Sequence, residues 1–497
     1  MSAESCPAVR LRGRPARSRC FLALGFAGAL LLLPAAGSAA TPIRIHPEHP
    51  HLFEWRGRTT VLVGSTEHYG AVLNLDFDYR TYLDTIHAAG LNLTRIVPGT
   101  TLESTTTEVW RGHDQNPLAP RPGRYLAPWV RSATPGAGDG GNKFDLDRWD
   151  DKFFARLRDF VHRAGERGIV VEVTLLYVLY GEGPADGNWV LHPLNARNNI
   201  NGIGRGAWHR YNTLDDPALV ARQEAVVRKI VSELNPFDNV IHEICDEPYL
   251  SGASPAETEA WQNRMLDAFD AVRRSLPHRQ LVAINPANLY AKVEAVHPAV
   301  DWVNFHYSSP PAAAPMNYHL NKPLGFDETP GNQGANALPR RREAWAWMFS
   351  GGALYNNLDP SFATDDPTGS GRVQQHDGTF DGREVRTQLR ALRNFMDSLD
   401  LVRMRPTEWF LQHRPQTPKV GYALAAPGRQ YAVYIPRGGR LARFMADLPA
   451  GRWRAEWILP RDGHTLAEET FRHEHGAKLF ESPKYPEDVA LRLTLVP

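Results

Sequence analysis

Two glutamates in this sequence stand where side chains can do acid–base chemistry. Glu247 ends the run Asn-Val-Ile-His-Glu-Ile-Cys-Asp-Glu, and a proline follows it. Glu328 ends a second apolar run 81 residues later, in Lys-Pro-Leu-Gly-Phe-Asp-Glu. Two carboxyl groups that face each other can cleave a glycosidic bond, because one protonates the leaving oxygen while the other attacks or stabilises the anomeric carbon.

Glu247 alone has a second interpretation. An acidic residue before a proline is also typical of a helix start, where it would cap backbone N–H groups. Glu328 favours the catalytic interpretation of Glu247 over the helix cap, because Glu328 ends the predicted seventh strand of a barrel while Glu247 ends the fourth. These two strands lie nearly opposite each other, so both carboxyl groups are expected to point across the barrel mouth.

Further polar residues are expected beside Glu328. Arg95 ends the predicted second strand, where its guanidinium would keep Glu328 ionised; a purely structural salt bridge is compatible with the same position. His306 and Tyr307 end the sixth strand, and the tyrosine hydroxyl would donate to Glu328 and orient it. The direction of the Asp246 side chain stays open, since adjacent strand residues face opposite sides unless the chain bends.

The positions of these residues depend on alternating strands and helices. Apolar runs predict eight strands at Thr60–Gly64, Leu91–Val97, Ile169–Leu176, Val240–Ile244, Leu281–Ile284, Trp302–Phe305, Leu324–Phe326 and Ala353–Tyr355. Helical periodicity is clearest at Tyr79–Ala89, Trp149–Arg167, Pro217–Leu234, Ala256–Leu276, Pro339–Ser350 and Glu384–Leu399. This alternation predicts an α/β fold, a (β/α)8 TIM barrel, with a short helix between the fifth and sixth strands.

Two long connections follow the second and third strands, at residues 98–146 and 177–214. Both are rich in Gly, Pro, Asn and Trp and have little periodicity. On a barrel they fall at the C-terminal face, so we interpret them as cleft walls. Tryptophans there could offer flat faces to sugars, although loop packing is the commoner use of any one of them. The candidates are Trp110, Trp129, Trp189 and Trp208.

The first 40 residues have the pattern of an export signal. Five arginines precede the apolar stretch Phe21–Leu33, and Ser38–Ala40 offers small residues for cleavage. The stretch is too short for a comfortable transmembrane helix. We therefore expect a secreted or periplasmic protein whose mature chain begins near Thr41. Two of the three cysteines fall in the signal, so only Cys245 would remain and no disulfide could form within one mature chain.

The length of the chain and the pattern of roughly its last 90 residues predict a second domain. A chain of 497 residues exceeds one usual core, and a net charge of +1 with 42% hydrophobic residues does not fit a nucleic-acid-binding or disordered protein. From about Arg405, short strand patterns follow one another without helices, as in a β-sandwich. We predict a signal peptide at 1–40, the barrel at 41–404 and an antiparallel β-sandwich at 405–497.

These residues together resemble clan A of the glycoside hydrolases, (β/α)8 retaining enzymes whose acid/base and nucleophile end strands four and seven. The clan's Asn-Glu-Pro motif corresponds to Asp246-Glu247-Pro248, and its nucleophile to Glu328. Its strand-two arginine corresponds to Arg95, and its strand-six His-Tyr to His306-Tyr307. The resemblance covers nearly all of the mature chain; it implies a retaining mechanism but says little about the sugar.

Other segments resemble a cellulase-like and apiosidase-like bacterial subgroup. These segments are Thr60–Thr66 and Gly351–Asp359. Proteins of that subgroup often end in a small β-sandwich of the collagen-binding type, which Gly421–Leu424 and Trp457–Pro460 resemble. We see no compositional support for collagen or matrix binding, and we expect this domain to pack against one flank of the barrel.

The sequence departs from the clan at two positions. Asp246 replaces the asparagine whose amide contacts the sugar 2-hydroxyl, and an ionised aspartate cannot donate a hydrogen bond. The sequence therefore leaves open whether the usual contact with the 2-hydroxyl is made or whether a sugar of another configuration is bound. The common strand-eight tryptophan is missing, and Tyr355 is the nearest aromatic. The candidate substrate-binding residues are Arg95, Asp246, His306, Tyr307, His68, Trp189 and Tyr355.

Other functions fit the sequence less well. A binuclear metal hydrolase would carry His-x-His after the first strand, where this chain has Glu67-His68-Tyr69. His242 and Glu243 begin a zinc motif, but Asp246 stands where its second histidine would be. We expect no metal or other cofactor and an oligo- or polysaccharide substrate. The alternative is a noncatalytic carbohydrate-binding protein on a degenerate barrel, which the two glutamates with Arg95 disfavour.

Overall fold

Eight parallel strands close into a barrel, which confirms the predicted fold class. They are β1 (Leu62–Thr66), β2 (Leu93–Ile96), β3 (Val170–Tyr177), β4 (Val240–Asp246), β5 (Leu281–Ile284), β6 (Trp302–His306), β7 (Leu324–Glu328) and β8 (Leu354–Leu358). Each pairs with its neighbours in chain order, and β8 closes onto β1. Nearly every strand residue is buried, because helices cover the outside of a parallel barrel.

This computed structural model describes residues 41–102, 116–179, 187–329, 336–375, 378–407, 409–412, 421–439 and 441–497. The predicted signal segment at 1–40 and Trp110 lie outside these residues. The described chain from Thr41 onward forms one compact unit by its internal contacts. The predicted boundary between 404 and 405 therefore stays a prediction.

Helices connect most of the strands. They are α1 (Tyr79–Ala88), α2 (Asp151–Glu166), α3 (Pro217–Leu234), α4 (Pro255–Arg273), α5 (Ala313–Asn317), α6 (Ala337–Phe349) and α7 (Gly382–Asp397). Asp150, Asp216 and Ser254 accept hydrogen bonds from the first backbone N–H groups of α2, α3 and α4, which fixes where those helices begin. Within the described ranges, no helix has the length and apolar character needed to span a bilayer.

Some connections differ from the sequence prediction. The helix predicted between β5 and β6 is wrong, since residues 285–301 contain no helix. The first long connection contains an antiparallel hairpin, Trp129–Pro135 with Asn142–Trp149, which ends just before α2. The hairpin was not predicted, because its polar and apolar residues show no clear periodicity.

The bottom of the barrel is covered by a three-stranded antiparallel sheet. Its strands are Arg44–Ile45, Phe53–Trp55 and Arg58–Thr60. Arg56 forms an ion pair of 2.7 Å with Asp238, just before β4, and the backbone N–H of Ile43 donates to the Asp238 carbonyl. This sheet therefore contacts the end of the barrel opposite the carboxyl ends of the strands.

The C-terminal part is an antiparallel sandwich of two sheets. One sheet has six strands in the spatial order Arg405–Pro406, Tyr422–Ala426, Gln430–Ile435, Val489–Val496, Gly451–Ile458 and Thr465–His473. The other has three strands, Leu411–Gln412, Arg443–Leu448 and Gly476–Glu481. Two of these strands were not predicted, because both are largely exposed and polar. They are Thr465–His473 and Gly476–Glu481.

The sandwich packs on helix α6 of the barrel. Arg341 in α6 is almost fully buried and donates to both carboxylate oxygens of Asp488, at 2.8 and 3.0 Å. Tyr434 donates to the same carboxylate and lies against Trp345 of α6, with ring centroids 5.3 Å apart. The six-stranded sheet therefore contributes to the core of the barrel flank.

Candidate active site

Glu247 and Glu328 lie at the carboxyl ends of β4 and β7, and both are largely buried. Glu247 adopts a left-handed backbone conformation, with φ 40° and ψ 45°, between β4 and the single 3-10 turn Pro248–Leu250. Its side chain caps no helix, so the helix-cap interpretation is wrong. Left-handed residues other than glycine cost about 1–3 kcal/mol and cluster at functional sites. The bend turns both Asp246 and Glu247 into the barrel mouth.

His306 lies between the two glutamates. Its Nδ1 is 3.0 Å from Oε1 of Glu247 and 3.9 Å from Oε2 of Glu328. Its Nε2 is 3.0 Å from Oδ1 of Asp327. Burial opposes a charge on the ring, but the carboxylates of Asp327 and Glu328 raise the pKa of His306 well above its usual value. The imidazolium therefore acts as a fixed cation between the proposed acid and the proposed nucleophile.

Arg95 is the second buried cation of the site. Its Nη1 donates to Oε2 of Glu328 at 3.0 Å, and its Nη2 donates to Asp246 at 2.5 Å and to Glu243 at 3.0 Å. Its Nε lies 2.8 Å from Asp327. One planar guanidinium thus connects carboxyl groups from β4 and β7 across the barrel.

Glu328 receives hydrogen bonds at both oxygens. Tyr307 donates to Oε1 at 2.6 Å, while Tyr69 and Arg95 donate to Oε2 at 2.5 and 3.0 Å. Burial alone would raise the pKa of Glu328, but the charges of His306 and Arg95, helped by the two tyrosines, lower it. Glu328 is therefore held ionised in an oriented position, as a nucleophile requires.

The pKa of Asp246 is shifted in the opposite direction. Burial raises its pKa well above the usual value, and the neighbouring carboxyl groups of Glu328 and Glu247 add to the shift, while Arg95 opposes it. Burial also raises the pKa of Glu243 and of Glu172, which both lie beside Asp327. The charges of Arg95 and His306 oppose the effect of burial most strongly at Asp327 and Glu328, and they lower the pKa of both carboxyl groups.

Tyr69 is a functional residue that the sequence analysis missed. It follows β1 and donates to Glu328, and Arg95 donates to its hydroxyl at 2.6 Å. Tyr69 and Tyr307 both have positive φ angles, 55° and 54°. Each tyrosine therefore has a strained backbone conformation, and this conformation places its hydroxyl next to Glu328.

Tyr249 and Asn288 complete the surroundings of Glu247, and neither was predicted. The Tyr249 hydroxyl donates to the Asn288 side-chain oxygen, and it lies 3.3 Å from Oε1 of Glu247. The motif Glu-Pro-Tyr offered one signal for Tyr249, since it stands two residues after the acid. Asn288 lies in the irregular β5–β6 connection, where no pattern could place it.

Two predicted substrate-binding residues are buried. Tyr355 is fully buried and donates to Glu343 of α6, with the Arg340 carbonyl 3.2 Å from its hydroxyl, so it faces the helices and not the cleft. Trp189 is 3% exposed and donates to the Gly206 carbonyl inside its own connection. The prediction for Tyr355 is wrong, because this aromatic fills the protein interior. Trp189 is no more buried than Glu247, so its role in substrate binding stays a prediction.

The remaining aromatic candidates have mixed positions. His68 is half-buried and packs edge-on against Tyr69, with ring centroids 4.9 Å apart, so it lies next to the site. Trp129 is buried and stacks on Trp149. Trp208 is half-buried, and its ring lies close to Gly252.

The described residues contain two groups whose ligand atoms lie within 4.8 Å of one another, Glu243–His306–Asp327 and Asp246–His306–Glu328. Arg95 has a nitrogen no more than 3.0 Å from each of the four carboxyl groups in them. A fixed guanidinium already supplies the positive charge that a metal would bring, and it would repel a second cation. The groups are therefore better described as an arginine-centred carboxylate cluster.

Solved structures of glycoside hydrolases share this fold. A protein from Bacteroides vulgatus ATCC 8482, named as a candidate glycoside hydrolase, superposes with a TM-score of 0.64 at 15% identity, over 93% of this chain and 84% of its own. A glycoside hydrolase family 5 protein from the same strain gives 0.60 at 13%, over 91% and 93%. A third structure, named as a glycoside hydrolase, gives 0.60 at 12%, over 91% and 97%. No protein-family model and no curated protein matches the sequence.

Proposed function

We propose that this protein is a retaining glycoside hydrolase that cleaves O-glycosidic bonds of an oligo- or polysaccharide. The observation that carries the proposal is the position of Glu328 at the end of β7, where its two carboxylate oxygens accept hydrogen bonds from Arg95, Tyr69 and Tyr307. The second carboxyl group that this chemistry needs, Glu247, ends β4 on the other side of His306. The names of the structural neighbours support the same reaction class.

In the proposed first step, a carboxylate oxygen of Glu328 attacks the anomeric carbon. Glu247 gives its proton to the glycosidic oxygen, the bond between that oxygen and the anomeric carbon breaks, and the leaving sugar departs. Nδ1 of His306 lies 3.0 Å from Oε1 of Glu247 and orients the side chain that transfers the proton. In the second step, Glu247 removes a proton from water, and the water oxygen displaces Glu328 from the anomeric carbon.

The distances at His306 support retention. Nδ1 lies 3.0 Å from Oε1 of Glu247 and 3.9 Å from Oε2 of Glu328, so these two oxygens are no farther apart than the sum, about 6.9 Å. Retaining enzymes hold their carboxyl groups about 5–5.5 Å apart, and inverting enzymes about 6.5–9.5 Å. The bound disfavours most of the inverting range. The predicted separation of about 5–5.5 Å stays a prediction.

A carbohydrate-binding protein without activity is the alternative. It requires an open sugar site but no ionised nucleophile, and it gives no reason for two strained tyrosines that hold Glu328. A panel of aryl glycosides and of plant and bacterial polysaccharides separates the two functions. Turnover of any member supports the hydrolase, whereas sugar binding without turnover across the whole panel supports the alternative.

Variants of the two glutamates test the assigned roles. Glu328→Gln should lower kcat on an activated aryl glycoside by about 10⁴-fold or more, since it removes the nucleophile. Glu247→Ala should retain the first step on such a substrate and regain turnover when azide is added. Glu474→Gln, an exposed glutamate of the sandwich, is the matched control and should keep full activity. Wild-type activity in Glu328→Gln would exclude the proposed nucleophile.

We also propose that the protein is exported, on the strength of the predicted signal at residues 1–40. Expression of the full chain in a Gram-negative host, followed by fractionation and N-terminal sequencing, tests this. The expected product lies in the periplasm or medium and begins near Thr41. A cytoplasmic product that keeps residues 1–40 would contradict export.

A further inference from the structure

Glu172 of β3 is a buried acid that the proposed mechanism does not use. Its side chain is fully buried, and its Cα pairs with that of Arg95 on the neighbouring strand β2. Neither of its carboxyl oxygens accepts a hydrogen bond from the described part of the chain. A buried carboxylate without a donor is strongly destabilised, because it loses its hydration and no hydrogen bond replaces it. The neighbours of Glu172 must therefore explain its charge state.

Arg95 cannot supply the missing hydrogen bond. A guanidinium has five N–H donors, and those of Arg95 are directed at other polar side chains of the barrel mouth. These side chains are Tyr69 and Glu328 at Nη1, Glu243 and Asp246 at Nη2, and Thr174 and Asp327 at Nε. Arg95 therefore acts on Glu172 only through its charge.

The partner of Glu172 is Asp327 on β7. The two carboxyl groups are in hydrogen-bonding contact, and such a bond requires a proton on one of them. Burial and the charge of Asp327 raise the pKa of Glu172 well above its usual value. Burial opposes the charge of Asp327 as well, but Arg95 and His306 lower its pKa. The proton therefore belongs to Glu172, and the Asp327 carboxylate accepts it.

Asp327 connects Glu172 to the proposed acid through His306. Oδ1 of Asp327 forms an ion pair of 3.0 Å with Nε2 of His306, and Nδ1 of the same ring lies 3.0 Å from Oε1 of Glu247. Both ring nitrogens of a charged imidazole carry protons, so one ring can face carboxyl groups on both sides. Side chains from β3, β7 and β6 thus form a continuous polar chain that ends at Glu247.

We propose that Glu172 is a positioning residue of the active site, whose neutral carboxyl group donates to Asp327 and fixes that carboxylate against His306. This inference rests on the proposed function, because the position of His306 matters where Glu247 transfers a proton. An ionised Glu172 would add a second negative charge beside Asp327. An apolar residue would leave Asp327 without the donor that orients it, and a partly satisfied buried network loses its fixed geometry.

Glu172→Gln tests the protonation without a substrate, because infrared spectra separate protonated carboxyl groups from carboxylates. Near neutral pH the wild type should show one more protonated carboxyl group than Glu172→Gln. Glu243 and Asp246 face the same cluster, so only the difference between the two proteins counts. Glu474→Gln, an exposed control, should lose carboxylate absorption instead. Equal protonated-carboxyl absorption in the wild type and Glu172→Gln would overturn the proposal, since it would show that Glu172 is ionised.

The ring resonances of His306 test the positioning itself. Isotope-labelled histidine makes them visible by NMR, and His306→Gln assigns them by their absence. Glu172→Leu removes the donor at similar volume and should shift the Nε2 resonance, whereas Glu172→Gln should return it to the wild-type position. Val173→Ala, a buried neighbour on the opposite side of β3, should lower the melting temperature without moving the resonance. An unmoved His306 resonance in Glu172→Leu would overturn the positioning role.

Kinetics separates this proposal from the proposed function. On a substrate that the wild type cleaves, Glu172→Leu should lower kcat about 10- to 100-fold and keep KM within about twofold, because it displaces the acid without touching the sugar. Glu172→Gln should recover most of this loss. Equal losses of kcat in the two variants would overturn the neutral donor while leaving hydrolysis standing. A wild type without turnover, in which both spectral differences are found, would overturn hydrolysis and leave the bond from Glu172 to Asp327 standing. The infrared comparison needs only Glu172→Gln, so it decides the protonation even if Glu172→Leu does not fold.

Discussion

Arg95 donates to Asp246 at 2.5 Å inside the barrel mouth, although burial and the nearby glutamates raise the pKa of that aspartate. The bond is made at Oδ1, and the raised pKa favours the protonated form of this carboxyl group. A neutral aspartic acid can donate one hydrogen bond and accept others, as the side-chain amide of asparagine does. The departure from the clan motif therefore preserves the hydrogen-bonding capacity of the position.

Asp246→Asn is expected to keep kcat/KM within about tenfold of the wild type near neutral pH, since a single polar contact of similar geometry is exchanged. The sign of the pH effect follows from the raised pKa. Asp246 is protonated at low pH and ionises as the pH rises through that pKa, which adds a negative charge beside Glu328. Ionisation of Asp246 should therefore add to the loss of activity on the alkaline side, and the alkaline limb should lie at higher pH in Asp246→Asn. Asp246→Asn with less than a thousandth of the activity at every pH would show that the ionised form is needed.

Tyr69→Phe tests the hydroxyl that holds Glu328. Its removal takes away one donor to Glu328, so the pKa of Glu328 should rise towards its usual value. The acidic limb of the kcat/KM profile should move to higher pH, and kcat should fall about 10- to 100-fold. Tyr307→Phe, which removes the donor to the other oxygen, is the matched comparison and should shift the limb in the same direction. Unmoved acidic limbs in both variants would contradict the assigned role of Glu328.

The residues that the sequence placed correctly all end barrel strands. Parallel strands bring their carboxyl ends together, so Arg95, Glu247, His306 and Glu328 could be predicted to converge once the strands were assigned. Tyr69 could not be predicted in this way. Its direction depends on a left-handed backbone conformation three residues beyond the strand, and a tyrosine side chain does not predict that conformation.

The Tyr355 prediction failed because sequence gives the residue type but not its direction. Tyr355 lies in a strand that was predicted correctly, yet its side chain faces α6, since neighbouring strand residues alternate between the barrel interior and the helices. Trp189 fills the core of a connection without periodicity. The charge state of Asp246 was equally hidden, because it depends on the burial of several carboxyl groups from separate strands.

Glu67 offers a test of buried acids that does not depend on activity. Burial raises the pKa of Glu67 to about 8, despite a hydrogen bond from the Gly70 N–H. The folded protein therefore keeps a proton that the unfolded chain releases near its usual pKa, so the free energy of unfolding falls as pH rises from about 4.5 to 8. Glu67→Gln lacks this dependence and should gain stability relative to the wild type over that interval, approaching about 4 kcal/mol. Urea unfolding at several pH values measures it, with Glu474→Gln as the exposed control. A constant difference across the interval would contradict a protonated Glu67.

Arg341 tests whether the sandwich is an integral part of the folded barrel. Arg341→Ala leaves Asp488 buried and without its bidentate partner, which should lower the free energy of unfolding by about 3–5 kcal/mol. Adding Asp488→Asn removes the unpaired charge and should recover part of the loss, giving a clear coupling energy in the double-mutant cycle. Arg443→Ala, which breaks the exposed pair with Glu481, should leave the melting temperature unchanged. Because Arg341 lies in the helix that follows β7, the two domains should unfold in one transition, and Arg341→Ala should lower its temperature. Two separate transitions in the wild type, of which only the sandwich transition responds to Arg341→Ala, would instead show that the domains unfold independently.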